Sequence, residues 1–293
     1  MTATTDTARH AGIALMLGSA MLFSTAGLFT KGVEASAWQV IFWRGVFSAV
    51  LTFGAIALRG HWRREVMQMG WRGLLIAAIG ATATAAFLSA FKMTSVANVA
   101  LIYSASPLVA AVLAWWVIRE APGRMMVLGA AIGMVGIAVI MGGGVGHGHL
   151  AGDLLALTMA LGLALLFVLY RVWPDVPAAG PTALSSVLLL PVAGLMAPPL
   201  EVSSAEIGIL ACFGLVFALA SVMMLNAAKR LPSGQAGLLS TAETPFAILL
   251  AWLILSEVPV VATWIGGALV MGGVILGGLA RASDQPGSVP STT

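Results

Sequence analysis

Two ionisable side chains lie well inside long apolar segments of this sequence, where a charge is costly. Arg44 lies about six residues, or roughly 9 Å, inside one segment, and Glu243 about eight residues, or roughly 12 Å, inside another. A guanidinium can bind a carboxylate through two parallel hydrogen bonds. A carboxyl group can bind an ammonium group or relay protons. These two residues are therefore the first candidates for binding chemistry.

Both residues also have a structural interpretation, and the sequence leaves the alternatives open. Arg44 can pair with Glu34 or with backbone carbonyl groups near the end of its segment. Glu243 is the only carboxyl group that we place deep in an apolar segment, and it can instead make a neutral hydrogen bond between helices. One positive and one negative group among apolar residues suit a zwitterion with an uncharged side chain, or a neutral metabolite. A phosphate ester or a polycation would require several charges of one sign.

Two prolines occupy matching places in two apolar segments, and polar side chains precede both. A proline removes a backbone hydrogen bond and bends a helix. Interrupted helices with polar ends are typical binding sites in transporters, and a kink without ligand contact is the alternative. Besides Arg44 and Glu243, the candidate binding residues are Ser24, Phe87, Tyr103, Ser106, Phe217, Ser221 and Thr244, and the candidate hinge residues are Pro107 and Pro245.

The sequence lacks the common signatures of catalysis and cofactor binding. It contains no Walker A loop, no HExxH motif and no GxSxG motif. His147 and His149 are predicted to lie in a loop without further metal ligands, and Cys212 is the single cysteine. No basic patch is dense enough for nucleic acid. We therefore expect no enzyme activity, no metal, no cofactor and no nucleic-acid partner.

The elements that carry these residues are apolar helices. The chain is 60% hydrophobic and only 9% charged, with a mean hydropathy of +1.01, which excludes a soluble domain. Backbone amides must be paired within lipid, so each long apolar segment should be a helix. We predict an all-α integral membrane protein with ten spans: Ala11–Thr30, Trp38–Leu58, Trp71–Phe91, Ala97–Val117, Met125–Met141, Ala151–Tyr170, Thr182–Ala197, Glu206–Ala227, Gln235–Leu255 and Val260–Ala280.

The basic residues predict the orientation of these spans. With the N-terminus in the cytoplasm, the outside receives only Lys31 and Lys92, while Arg44 lies within a span. All other lysines and arginines fall inside, which is a strong positive-inside signal. Both termini are therefore expected in the cytoplasm. The basic residues placed inside are Arg9, Arg59, Arg63, Arg64, Arg72, Arg119, Arg124, Arg171, Lys229, Arg230 and Arg281.

The second half of the chain repeats the first. Ser106-Pro107, Trp115, Glu120 and Pro122 correspond to Thr244-Pro245, Trp252, Glu257 and Pro259, and glycine-rich helices follow both segments. Five spans in each half place the second half in the membrane upside down, as in many secondary transporters. The predicted divisions are a cytoplasmic tail at 1–10, a first repeat at 11–141, a linker at 142–150, a second repeat at 151–280 and a disordered cytoplasmic tail at 281–293.

Ten spans in two inverted repeats resemble the drug/metabolite transporter superfamily. The segments Tyr103–Pro122 and Ser240–Pro259 resemble the EamA repeat, and Trp43-Arg44-Gly45 is similar to the second span of that family. Within it the chain is most similar to bacterial aromatic amino acid exporters of the YddG kind. The resemblance implies a secondary-active or facilitative transporter that exports amino acids or similar small metabolites by alternating access.

The implied setting is the bacterial inner membrane, with a lipid bilayer and a small-molecule substrate as partners. Proton coupling is left open, and a monomer is favoured over a dimer because the closing glycines can pack within one chain. One alternative is an exporter or importer of other neutral or amphiphilic metabolites. The other, from a different class, is a membrane assembly protein that transports nothing.

Overall fold

The computed structural model describes residues 2–119, 124–144, 149–173, 175–228 and 239–283. Part of the predicted linker, the beginning of the predicted ninth span and the C-terminal tail from residue 284 lie outside these ranges. The α-helices of the described part are α1 Thr2–Phe23, α2 Ala26–Lys31, α3 Ala37–Leu58, α4 Gly70–Met93, α5 Val96–Ser104, α6 Ser106–Ile118, α7 Arg124–Gly144, α8 Leu150–Val172, α9 Ala179–Met196, α10 Ser204–Ala228, α11 Glu243–Leu255 and α12 Val261–Ser283.

The described part is helical, without strands, and it contains 8 helices that are long and apolar enough to cross a membrane. They correspond to the first eight predicted spans. The last two predicted spans appear as the shorter apolar helices Glu243–Leu255 and Val261–Leu276. The all-helical membrane architecture is thus confirmed, whereas the count of ten spans stays a prediction.

The first and last helices extend beyond the predicted apolar spans. Helix α1 begins at Thr2, within the segment predicted as the N-terminal tail. The last helix continues to Ser283, three residues beyond the predicted second repeat. Polar residues can extend a helix beyond the apolar segment because the backbone hydrogen bonds continue from an existing turn at little cost.

Three helical segments are interrupted beside polar residues. The first breaks at Ser24 and Thr25, between α1 and α2. The second breaks at Ala105, between α5 and α6, two residues before Pro107. The third has a turn at Thr241 and Ala242, just before α11 and Pro245. Both prolines that were predicted to bend helices therefore follow a break.

Helix packing relates the two halves of the chain. The third span, α4, packs on α8, and its counterpart α10 packs on α1. The pairs α3 with α9 and α7 with α12 each join a helix to its own counterpart, and the contact of α5 with α11 joins the fourth predicted span to its counterpart, the ninth. A twofold relation between the halves produces this pattern, because it exchanges the first two contacts and preserves the other three pairings of spans.

Glycines let α7 and α12 pack closely against each other. A Cβ atom on Gly136 would lie 2.6 Å from the carbonyl oxygen of Gly266, and one on Gly273 would lie 2.4 Å from that of Gly129. Missing side chains let the two backbones approach closely, as in small-residue motifs of membrane helices. These glycines therefore pack within one chain.

Gly273→Ala should destabilise the protein, because its methyl group would collide with backbone atoms of α7. Overpacking of this kind costs about 1–3 kcal/mol. The matched control is Gly272→Ala, whose Cβ would meet nothing within 4 Å. Thermal unfolding of both variants in detergent is the measurement. Equal melting temperatures for the two variants would contradict the close packing of α7 on α12.

Candidate functional site

Arg44 lies buried between α3 and α10, with 6% of its surface exposed. Its guanidinium carbon is 4.0 Å from the ring centre of Phe217 and 5.4 Å from that of Phe213. The two phenylalanines lie one helical turn apart on α10 and face the same way. Gly214 lets the helices approach, because a Cβ there would lie 2.7 Å from the Cβ of Phe47.

Arg44 has no anionic partner within the described residues. It forms no ion pair or hydrogen bond with any of them, and its Nε atom is buried without a hydrogen-bond partner. Among the described residues, Arg44 therefore pairs neither with Glu34 nor with a backbone carbonyl group. The backbone NH of Glu34 donates to the Glu206 carboxylate at 2.7 Å. Aromatic ring faces attract the guanidinium, but they do not neutralise its charge.

Glu243 lies at the start of α11 and faces Tyr103 near the end of α5. The phenol and the carboxyl group lie near enough to each other to interact electrostatically. Both residues are partly accessible. The ring of Phe87 lies 5.9 Å from that of Tyr103 and 4.7 Å from that of Phe91. The structure thus brings Glu243, Tyr103 and Phe87 together, as a polar pair beside an apolar wall.

Helix α2 contacts the helices that carry the aromatic partners of Arg44 and Glu243 itself. This short helix packs against α10, which carries Phe217, and against α11, which carries Glu243. Phe29 of α2 stacks on Phe213 at 5.1 Å, and Phe23 at the end of α1 meets Phe217 at 5.4 Å. The break between α1 and α2 therefore follows the ring that meets Phe217, over which Arg44 lies. Within the described residues, no ion pair or hydrogen bond joins Arg44 to Glu243.

Four candidate hydroxyl groups donate to backbone carbonyls. Ser24 bonds the Met21 oxygen at 2.7 Å, Ser221 the Phe217 oxygen at 2.8 Å, and Ser106 the oxygen of Tyr103. Thr244 bonds the oxygen of Ala100 at 3.4 Å, across the two halves. Each hydroxyl hydrogen already bonds a carbonyl oxygen. A ligand could therefore only donate a hydrogen bond to these hydroxyl oxygens.

The carbonyls released by the prolines also have donors. Pro107 frees the oxygen of Tyr103, which accepts from Ser106. Pro245 frees the oxygen of Thr241, which accepts from the backbone NH of Thr244 at 3.1 Å. The ring of Pro245 is exposed and lines a surface groove of about 240 Å³ with Trp264. This proline shapes the helix, but it does not face the polar pair at Glu243.

Polar contacts close one end of the bundle, which we call the Lys31 end. Lys31 forms an ion pair with Glu257, whose other oxygen accepts from the backbone NH of Val96 at 2.9 Å. Lys92 donates to the oxygen of Val33 at 2.7 Å. The ion pair joins the first half of the chain to the second. The opposite end, which carries Arg72, has its own contact between Trp71 and Trp173, with ring centres 5.4 Å apart.

Asp153 is a buried carboxyl group that the sequence analysis missed. It lies in the first turn of α8, near the Lys31 end, with 0% of its surface exposed. One oxygen, Oδ1, accepts from Thr94 Oγ1 at 2.7 Å and from Asn98 Nδ2 at 3.0 Å, and the other, Oδ2, has no partner. Asn98 could have indicated this buried polar site from the sequence, since it is a polar residue inside an apolar segment.

Neither of the two surface grooves is lined by Arg44, Glu243 or Asp153. An apolar groove of about 420 Å³ lies between α6 and α7 and is lined by residues such as Trp115 and Met134. Both of these side chains are strongly exposed, as expected for a lipid-facing surface. No group of three His, Cys, Asp or Glu side chains within the described ranges could hold a metal ion.

Comparisons with known proteins agree with this architecture. No curated protein matches the chain. A solved structure entitled "Crystal structure of protein" is similar in fold, with a TM-score of 0.66 and 21% identity over 94% of this chain and 99% of that one. The model of the EamA-like transporter family matches residues 10–142 and 150–278. The chain therefore belongs to the EamA-like transporter family, whose members are membrane transporters of small metabolites.

Proposed function

We propose that this transporter exports amino acids or closely similar zwitterions, with apolar side chains, across the bacterial inner membrane. The observation that carries the proposal is the buried guanidinium of Arg44, which lacks an anionic partner within the described part of the chain. A buried charge without a partner is expensive. A substrate carboxylate would supply the missing charge and accept two parallel hydrogen bonds from the guanidinium.

The amino group of such a substrate has a matching acceptor. Glu243 is the carboxyl group that faces the interior beside Tyr103, and the phenol oxygen is a second acceptor. Arg44 and Glu243 are carried by α3 and α11, one from each half of the chain. A ligand that binds both therefore bridges the halves, which is where inverted-repeat transporters bind their substrates.

Aromatic rings favour an apolar substrate side chain. Phe213 and Phe217 lie beside Arg44, and Phe87 lies beside Tyr103. Rings provide large apolar contact areas at little entropic cost. No further charge of either sign is found among these contacts, which disfavours substrates with acidic or basic side chains. Because the walls are apolar, neutral metabolites are the main alternative to amino acids as substrates.

Alternating access would use the Lys31 end as the outer gate. The ion pair between Lys31 and Glu257 joins the halves and closes that end. An inverted arrangement of the repeats, supported by the twofold packing pattern, lets the same site open at either end. The breaks before Pro107 and Pro245 would let the helical segments on either side move independently.

The orientation can be tested with single cysteines in a chain whose Cys212 is replaced by alanine. Cysteines at Glu34 and Leu200, both exposed at the Lys31 end, should react in intact cells with a charged maleimide that does not cross the membrane. Cysteines at Arg64 and Asp175, exposed at the opposite end, should react only after the cells are opened. Labelling of Asp175→Cys in intact cells would overturn the assigned orientation.

The substrate class can be tested by counterflow in proteoliposomes. Vesicles loaded with unlabelled phenylalanine, leucine or valine should take up the same labelled amino acid, in contrast to vesicles without protein. Unlabelled competitors should then rank apolar amino acids above glutamate and lysine. Counterflow with none of the twenty amino acids would reject the proposed substrate class, and competition by neutral metabolites alone would support the nearest alternative.

A further inference from the structure

The carboxyl group of Asp153 has no role in the proposed substrate site, yet it is fully buried and one of its oxygens, Oδ2, has no hydrogen-bond partner. We propose that Asp153 binds a monovalent cation, a proton or Na⁺, between the two halves of the transporter. This second site is independent of the identity of the transported metabolite.

The first argument concerns charge. An ionised carboxyl group buried without a cation is unstable. The nearest charged side chains are engaged elsewhere: Lys92 donates to the oxygen of Val33, and Lys31 pairs with Glu257. His149, which precedes α8, is exposed. The elements that pack against α8 are α4, α5, α6 and α7, and their turns beside Asp153 present no other ionisable side chain among the described residues, nor does the start of α12.

The second argument concerns the donor set. Among the described residues, neutral side chains alone contact the carboxyl group: Oδ1 accepts from the Thr94 hydroxyl and from the Asn98 amide nitrogen, and Thr263 lies behind Asn98. Thr263 donates to the Asn98 oxygen at 2.7 Å, and this bond directs the Asn98 amide nitrogen towards Asp153. A single carboxylate among neutral side chains matches one positive charge, whereas Ca²⁺ sites commonly use several carboxylates. The arrangement therefore favours a monovalent cation.

The third argument concerns the position between the halves. Thr94 and Asn98 belong to the first half, and Asp153 and Thr263 to the second. A Cβ on Gly152 would lie 2.7 Å from the carbonyl carbon of Met93, so α8 is seated directly on the end of α4. Separation of the halves at the Lys31 end would expose Asp153 to water. Cation binding therefore stabilises the closed Lys31 end, and opening of that end releases the cation.

The test measures thermal unfolding of the purified full-length protein in detergent. One arm adds NaCl at constant pH and constant chloride, with N-methylglucamine replacing Na⁺. The other arm lowers the pH from 8 to 5.5 without Na⁺. The melting temperature of the parental protein should rise by about 3 °C or more in one arm, which identifies the cation. Asp153→Asn cannot bind either cation and should lose that rise, whereas Asp175→Asn, a control at an exposed aspartate, should keep it.

Two results would overturn the proposal: a parental melting temperature unchanged by both cations, or an equal rise in Asp153→Asn. If Asp153→Asn does not fold, Thr94→Val keeps the carboxyl group and removes one of its donors. That variant should shift the midpoint of the cation titration by about 3-fold or more, since one hydrogen bond contributes about that much, and an unchanged midpoint would contradict the site. The readout is cation binding, so its failure leaves the substrate proposal intact.

Discussion

Arg44→Gln should weaken transport of carboxylate-bearing substrates by at least about 30-fold in apparent affinity. Removing one partner of a buried, hydrogen-bonded charge pair typically costs about 2–5 kcal/mol, and each 1.4 kcal/mol is about tenfold. Arg44→Lys keeps the charge but loses the planar pair of donors, so its transport should be intermediate. Counterflow at a series of substrate concentrations gives the affinities.

The matched control for Arg44 is Arg72→Gln. Arg72 also lies over aromatic rings, 5.4 Å from the centre of Trp173 and 5.9 Å from that of Trp71, but at the opposite end and exposed. The Arg72→Gln variant should transport substrate with the parental affinity. Arg44→Gln should also unfold at the parental temperature or above, because it removes a buried charge that lacks a partner. Parental transport by a folded Arg44→Gln protein would remove Arg44 from the substrate site.

Glu243→Gln should weaken binding of amine-bearing substrates by about tenfold or more, since a hydrogen bond to a charged group contributes about 1.5–3 kcal/mol. Analogues without the amino group should bind as well as they bind the parental protein. Exposed Glu201→Gln is the control and should leave affinity unchanged. Competition against a labelled amino acid in proteoliposomes measures all of these affinities.

Other outcomes for Glu243→Gln would identify a different role. A proton relay would leave substrate exchange intact and abolish accumulation driven by a pH gradient. A role in helix packing alone would leave both activities intact and change only the melting temperature. Tyr103→Phe distinguishes the contribution of the tyrosine hydroxyl from that of the carboxyl group, because it removes the hydroxyl and leaves Glu243 in place. Unchanged affinity in both variants would exclude this pair as the amine site.

The sequence predicted the apolar helices and the breaks near Pro107 and Pro245, because both depend on local properties, but it did not predict the break at Ser24 and Thr25. Apolar length fixes a span in lipid, and Pro107 and Pro245 interrupt helices whatever surrounds them. The glycine pattern of α7 and α12 also predicted close packing, since small residues recur at regular intervals along one sequence. The periods of these patterns can be read without knowledge of the neighbouring helices.

The surroundings of single side chains could not be predicted in the same way. The sequence suggested Glu34 as a partner for Arg44, whereas the structure places Phe213 and Phe217 there, about 170 residues along the chain. Asp153 was missed because it lies near a helix end, where an aspartate is usually hydrated. Its burial depends on the approach of α4 and α5, which no local pattern reveals.

Binding of three related compounds tests the central claim most directly. Phenylalanine, its amide and phenylpropionate share one side chain, but the amide lacks the carboxylate and phenylpropionate lacks the amino group. Isothermal titration of each compound into the parental protein, Arg44→Gln and Glu243→Gln gives nine affinities. We expect Arg44→Gln to lose affinity for phenylalanine and phenylpropionate but not for the amide. Glu243→Gln should lose affinity for phenylalanine and the amide but not for phenylpropionate. Equal losses for all three compounds in both variants would contradict the claim that Arg44 and Glu243 bind opposite ends of a zwitterion.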